Sequence, residues 1–418
     1  MKYGLIGKTL KHSFSKSVHS YLDSKDYELV SLNEDELDSF LKRRDFLGIN
    51  VTIPYKEKVI PYLDYVSPEV KEIGACNTIV NKNGKLYGYN TDYYGLESLI
   101  NHYHYEIENK VIAILGTGGT KNTTYYLLKK LKAKKIYVVS RNPHENEISY
   151  SQLDGIKNEI EIIINTTPVG MYPNNDKQII SLKGYNHLKG LIDVIYNPLN
   201  TCLVLEGKKN HINSHGGLYM LIGQAIRASE LFLDKEYDKR MLDRIYFDIL
   251  KKKENIVLIG MPMSGKTRTG KILSSYIKKE YIDMDKQIES DENRTINEIF
   301  SSDGETYFRN AESLLAKNLG INQGKVISTG GGIILNPSNM MYLKQNGIVI
   351  YLTRDFDKLI YSSSRPLTKS KEEYLNLEKK RKHLYLKYKD IHIDNSTDDV
   401  DELMNLIKRK LYEKNSHY

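Results

Sequence analysis

The run Ile256-Val257-Leu258-Ile259-Gly260-Met261-Pro262-Met263-Ser264-Gly265-Lys266-Thr267 decides how this chain is read. Its apolar opening has the length and β-branched content of a buried strand, and the rest satisfies the spacing GxxxxGK[ST]. Glycine at both ends lets the backbone turn its N–H groups toward one point, where the dipole of the following helix adds positive potential. Strand, turn and helix in that order are the setting that separates a phosphate-binding P-loop from a chance match. ATP or GTP is therefore expected against Gly260, Met261, Pro262, Met263, Ser264, Gly265, Lys266 and Thr267. Lys266 would reach the β- and γ-phosphates, and Thr267 would ligate Mg2+.

Further strand-like runs lie downstream, at Lys325–Ser328 and Ile348–Leu352, and an earlier series at Val111–Leu115, Ile136–Val139, Ile160–Ile164 and Leu191–Ile195. Strands alternating with helical patterns predict α/β architecture with parallel sheets. The earlier series carries its own glycine turn, Gly116-Thr117-Gly118-Gly119, directly after a strand. It departs from GxGxxG, since Asn122 or Thr123 stands near the third glycine's place, and an ordinary tight turn would read the same. Context favours a dinucleotide: a helix follows, and the next strand ends at Ser140-Arg141-Asn142, where such folds read the ribose. An acidic residue there would select NAD. Arg141 instead offers a planar cation to a 2′-phosphate, hence NADPH/NADP+, or is a solvated loop charge.

A chain of 418 residues exceeds one hydrophobic core. The net charge of +8 comes from basic residues scattered among acidic ones, with no arm or stripe, so no nucleic-acid partner is expected. Tyr is abundant and Trp absent, which we read as codon bias. Cys76 and Cys202 make no disulfide framework. The N-terminal apolar run is too short for a signal peptide, and no run reaches membrane-span length, so a cytoplasmic protein without a membrane partner is expected.

Ahead of the first glycine turn, polar clusters interrupt apolar segments: Ser13-Phe14-Ser15, Asn50 through Lys56, Asn77-Thr78 and Asn90-Thr91-Asp92. Singly, each has an ordinary reading as turn residues, a surface lysine, or Asp92 as the N-cap of a helix from Tyr93. In this order before a dinucleotide turn, they resemble shikimate dehydrogenase from Tyr3 to about Leu250. The resemblance implies that Ser13 and Ser15 hold the substrate carboxylate and that Thr52 and Asn77 bind ring hydroxyls. Lys56 and Asp92 would be the catalytic pair, because a lysine beside a carboxylate can stabilise the oxyanion formed by hydride addition and deliver its proton. It also implies a cofactor loop at Asn165-Thr166, Tyr196 at the substrate, and Gly217 against the nicotinamide. Gln224 stands apart from the resemblance. Helical spacing from Leu221 and Ala228 points it inward, where a buried amide needs a partner, a substrate hydroxyl or another side chain. Lys16, Thr120-Lys121-Asn122 and Ser140 depart from the family pattern.

After the P-loop, Tyr281 to Asp285, Asp303-Gly304-Glu305, Phe308-Arg309, Glu312, Gly330-Gly331-Gly332, Arg365-Pro366-Leu367 and Arg381 to Tyr385 resemble shikimate kinase. That resemblance implies Asp285 on the acceptor hydroxyls, Asp283 assisting magnesium, and Arg309 with Arg381 on the carboxylate. Gly331 and Gly332 would admit the acceptor, and Arg365 would close over the transferring phosphate from a lid. The bland alternatives are an exposed Asp283–Asp285 turn and surface ion pairs at the arginines.

The expected organisation is a shikimate dehydrogenase substrate-binding domain from 1–100 and 218–250, a Rossmann-like NADP domain from 101–217, a linker at 251–255, and a P-loop, nucleoside-monophosphate-kinase-like α/β domain from 256–418. The expected function is reduction of 3-dehydroshikimate to shikimate with NADPH, then ATP-dependent phosphorylation, by a monomer or homodimer. Two alternatives stand at this point. One is a quinate or polyol dehydrogenase joined to another small-molecule kinase; the other is an inert metabolite-sensing regulator.

Overall fold

Apolar strand runs and amphipathic helices assemble into three sheets in the computed structural model, which describes residues 2–10, 14–24, 26–355 and 371–416. The strands of the first sheet are β1 (Tyr3–Gly7), β2 (Tyr27–Ser31), β3 (Gly48–Val51), β4 (Tyr65–Val66), β5 (Thr78–Lys82) and β6 (Lys85–Tyr89), in the order β2-β1-β3-β5-β6-β4. The sheet is mixed: β1 lies parallel to β2 and β3, while β3–β5 and β5–β6 run antiparallel. β3 is buried at every position, the polar Asn50 included, so its sequence shows no alternation of buried and exposed residues. The helices Thr91–His102 and Leu218–Leu233 pack closely because Gly95 lacks a side chain. A Cβ there would lie 2.3 Å from the Met220 carbonyl oxygen.

The second sheet contains β7 (Val111–Leu115), β8 (Lys135–Ser140), β9 (Glu147–Ser149), β10 (Ile162–Asn165), β11 (Gly190–Asp193) and β12 (Asn213–Gly216). Its order is β12-β11-β10-β7-β8-β9, and every pairing is parallel. β7 sits where the strand order reverses, the place at which open α/β sheets take ligands beyond their strand ends. Two strands end differently from the sequence reading. Lys157–Glu159 forms a short 3₁₀ turn and β10 starts only at Ile162; β11 ends at Asp193, whose carboxylate takes the Ile195 N–H and turns the backbone.

The third sheet is β13 (Asn255–Ile259), β14 (Glu280–Asp283), β15 (Lys325–Ser328), β16 (Gly347–Thr353) and β17 (Ile391–Asp394). Its order is β14-β15-β13-β16-β17, all parallel, with the P-loop strand β13 at the centre.

The chain divides into two compact units, Met1–Asp248 and Ile249–Tyr418. The segment 251–255, expected to be a linker, is regular. Lys251 to Lys253 complete the helix Met241–Lys253, and Asn255 opens β13. The charge run belongs to a last helical turn, where lysines oppose the negative end of the dipole. Among the described residues, no helix is long and apolar enough to cross a membrane.

Candidate active sites

In the first unit, the end of β6 sets the chemistry. Asn90 caps the helix Thr91–His102, its Oδ1 accepting the Tyr93 N–H at 3.1 Å. This overturns the capping role weighed for Asp92, which sits in the first turn instead. Lys56 Nζ donates to Asp92 Oδ2 at 2.6 Å, and both side chains are largely buried, at 15% and 13% exposure. Lys56 follows Tyr55, a fully buried anchor whose hydroxyl donates to the Leu32 carbonyl at 2.6 Å. Beside the pair, Asn77 Oδ1 accepts the Thr91 N–H at 2.7 Å, and the Thr91 hydroxyl lies 3.4 Å from Gln224 Oε1. Gln224 is buried as its spacing required, and its Nε2 donates to the Leu221 carbonyl at 3.0 Å. Thr91 therefore joins Asn77 to Gln224, a role that sequence reading missed although it quoted the residue. Ser15 is buried at the start of a short helix, Thr52 is half-buried, and the Tyr196 ring lies 5.1 Å from that of Phe14. Ser13 lies outside the described residues.

The dinucleotide turn follows β7. Gly116 holds φ +104°, and a Cβ on it would strike the Thr167 side chain at 2.7 Å, so glycine is required. Gly118 caps the helix Gly119–Lys130 with open space above it, which suits a pyrophosphate on backbone N–H groups. A Cβ on Gly119 would stand 3.9 Å from Lys56 Cδ, so the cradle and the catalytic pair adjoin. Ser140 is buried and its Oγ accepts the Asn142 N–H at 3.2 Å, shaping the turn that exposes Arg141. Thr166 donates its hydroxyl to the Leu115 carbonyl at 2.8 Å. Gly217 has a packing reason of its own, since a Cβ would lie 2.1 Å from the Val194 carbonyl oxygen.

Behind this loop, fully buried Asn165 and Asp193 form a polar knot. Asn165 Oδ1 accepts from the Thr167 N–H and hydroxyl at 3.0 and 2.7 Å, while its Nδ2 donates to Asp193 at 3.0 Å. Asp193 also accepts from the Thr201 hydroxyl at 2.7 Å. Burial pushes the Asp193 carboxyl up to about 6, against the pull of these hydrogen bonds. A raised native value means the folded state holds the proton longer than the unfolded chain does. Stability is then lost as pH rises from about 4 to about 6, and the loss is constant above. Asp193→Asn should remove that part of the slope, worth roughly 3 kcal/mol, in urea unfolding at pH 4.5 and 7. Identical pH slopes in the two proteins would refute it.

In the second unit, the P-loop takes three left-handed residues, Gly260 at φ +155°, Met263 at +69° and Gly265 at +87°. A Cβ on Gly265 would lie 2.2 Å from Asn395 Nδ2, which itself donates to the Ser264 carbonyl at 2.8 Å. Lys266 is buried against the loop, donating to the Gly260 and Met261 carbonyls at 2.9 Å each. Thr267 Oγ1 donates to Asp283 Oδ2 at 2.9 Å, and the Tyr281 hydroxyl donates to the same oxygen at 3.2 Å. A hydroxyl and a carboxylate so placed are hard oxygen donors of the kind Mg2+ takes alongside nucleotide phosphates. Asp283 also caps the helix Met284–Glu292, its Oδ1 accepting the Lys286 N–H at 3.3 Å.

A cavity of about 930 Å³ opens beside the loop, lined by Asp285, Arg309, Glu312, Gly331, Gly332 and Arg381 among others. Arg309 donates to Glu312 Oε2 at 2.9 Å and to Glu305 at 3.0 Å. Gly332 makes room for this arginine, since a Cβ there would fall 2.3 Å from Arg309 Nη1. The Gly331 carbonyl accepts from Arg381 Nη1 at 3.0 Å and from the Tyr385 hydroxyl at 2.6 Å. Glu312 is almost wholly buried, and its Oε1 has no hydrogen-bond partner among the described residues. Burial raises its carboxyl against the pull of Arg309. The sequence reading quoted Glu312 without giving it a task; the structure places it as the holder of Arg309. Arg365 lies outside the described residues.

A dinucleotide cradle abutting a buried lysine–carboxylate pair, in a chain that also carries a complete P-loop over an acid-and-arginine cavity, is the make-up of a dehydrogenase joined to a small-molecule kinase. Comparison with known proteins agrees half by half. Residues 5–79 match the shikimate dehydrogenase substrate binding domain, and residues 262–412 match shikimate kinase. Shikimate dehydrogenase (NADP(+)) of Clostridium beijerinckii is 39% identical over 262 residues, covering 58% of this chain and 96% of that protein. The crystal structure of shikimate dehydrogenase 1 from Peptoclostridium difficile is 37% identical, with a TM-score of 0.55, over 60% of this chain and 98% of that one. Shikimate 5-dehydrogenase from Thermus thermophilus, solved with NADP(H) and shikimate, is 25% identical with a TM-score of 0.54, over 59% and 99%. The chain belongs to the shikimate dehydrogenase family, and its second unit carries a shikimate kinase domain.

Proposed function

We propose that one polypeptide reduces 3-dehydroshikimate to shikimate and then phosphorylates shikimate to shikimate 3-phosphate, in the cytoplasm. When bound, NADPH supplies the hydride and MgATP the phosphoryl group. The observation that carries the first step is the 2.6 Å Lys56–Asp92 contact beside the dinucleotide turn. Lys56 holds the charge growing on the carbonyl oxygen and delivers the proton there, while Asp92 keeps the ammonium in place. Asn77 and Gln224, already joined through Thr91, are set to take ring hydroxyls, with Ser13 and Ser15 at the carboxylate. In the second step Asp285 orients the attacked hydroxyl and draws its proton, and Arg309 and Arg381 grip the carboxylate bidentately. Thr267 and Asp283 serve magnesium, and Lys266 the phosphates.

Substrate choice is the test of this reading. 3-Dehydroshikimate should be reduced with NADPH, and shikimate phosphorylated, at rates well above those for the corresponding reactions of quinate. Preference for quinate in both assays would favour the quinate alternative, and no turnover in either would favour the regulator. For the cofactor, Arg141→Gln should raise KM for NADPH about tenfold and leave that for NADH unchanged. Equal effects on both would remove the 2′-phosphate from the role of Arg141.

A further inference from the structure

We propose that Arg354 is an additional ligand for the nucleotide's polyphosphate, an inference that rests on the kinase reading above. Arg354 follows β16 directly, and β16 lies parallel to the P-loop strand β13, with Ile259 opposite Tyr351. The strand end and the loop are in contact, since a Cβ on Gly260 would lie 2.4 Å from the Leu352 carbonyl oxygen. Asn395 ties them further. Its backbone N–H donates to the Thr353 carbonyl at 2.8 Å, and its side chain donates to the Ser264 carbonyl at 2.8 Å. The residue just before Arg354 is therefore fixed to the loop that receives phosphate.

The Arg354 side chain lines the same cavity as Gly265, Lys266 and Thr267. Among the described residues, its Nε is buried without a hydrogen-bond partner and no carboxylate pairs with it. A guanidinium N–H taken out of water without an acceptor is costly, and a structural arginine would bring its own carboxylate. The cavity wall also holds more cations than anions. Lys266, Arg268, Lys271, Arg309, Arg354 and Arg381 face it, against Asp285, Glu289 and Glu312. Arg309 and Arg381, which already touch Glu305, Glu312 and the Gly331 carbonyl, are the pair proposed for the acceptor carboxylate. Among the described residues Arg354 has no such partner, and its place directly after β16 sets a planar, permanently charged donor beside the P-loop, available to an anionic ligand. Adjacent phosphates are such a ligand, and Arg354 lines the cavity that the loop borders.

The test uses the full chain and titrates ATP, ADP and adenosine into wild type, Arg354→Gln and Arg354→Lys, followed by calorimetry. The expected result is an ATP Kd raised about tenfold or more in the glutamine variant, a smaller rise for ADP, and unchanged adenosine binding. The lysine variant, which keeps the charge but not the fork, should fall between. Unaltered ATP affinity in Arg354→Gln overturns the inference. So does an equal loss for adenosine, which would mean stacking on the base or a damaged fold. A wild-type protein that fails to bind ATP at all would overturn the kinase reading itself, and this assignment with it.

Discussion

Lys56→Ala is expected to lower the turnover of 3-dehydroshikimate reduction by about a hundredfold or more, while phosphorylation of shikimate by the same protein continues at its original rate. The ammonium touches Asp92 at 2.6 Å, and both groups are largely out of solvent. In that setting the charge on a nascent alkoxide is poorly screened, and a fixed donor counts for more than it would in water. Removing the lysine takes away both the electrostatic partner and the proton source. The loss should therefore fall on kcat, with KM for 3-dehydroshikimate little changed, because ring hydroxyls and carboxylate are held by other groups. Unchanged kcat in this variant would exclude Lys56 from the chemistry. A loss confined to KM would make it a binding residue only.

Lys266→Ala should act in the mirror sense, lowering phosphorylation by about a thousandfold or more, with NADPH-dependent reduction intact. Lys266 is folded back onto the Gly260 and Met261 carbonyls, at 2.9 Å each. Those contacts brace the loop as well as storing the cation beside the phosphate position. Part of the loss should thus appear as weaker nucleotide binding and part as slower transfer. Loss of reduction together with phosphorylation would show that the two units depend on each other, contrary to two independent sites. Retained phosphorylation would remove Lys266 from the transfer step.

The P-loop was legible because its meaning lies in spacing along the chain: Gly260, Gly265, Lys266 and Thr267 sit in one turn that the backbone must make. Gln224 was legible for a related reason, helix periodicity, which says that a side chain is buried but not what meets it. Its partner Thr91 is 133 residues away, and nothing local announces it. Asn395, which braces Ser264 across 131 residues, was hidden in the same way. The lysines after Leu250 were misread because a charge run looks the same in a solvated linker and in a last helical turn. Gly217 and Gly332 show a subtler limit. Both are expected where a ligand approaches; Gly217 is already obliged to be glycine by the Val194 carbonyl, while Gly332 borders the movable end of the Arg309 side chain. Arg354 gave no signal at all, since a single arginine after a strand has no spacing to interpret.

The direct measurement is a single reaction holding the purified chain, 3-dehydroshikimate, NADPH, ATP and magnesium, with no other enzyme added. NADPH absorbance and shikimate 3-phosphate are followed together. Absorbance should fall, and phosphorylated product should then appear up to the amount of NADPH oxidised. Oxidation that leaves shikimate unphosphorylated, or no oxidation at all, would contradict two working sites on one chain.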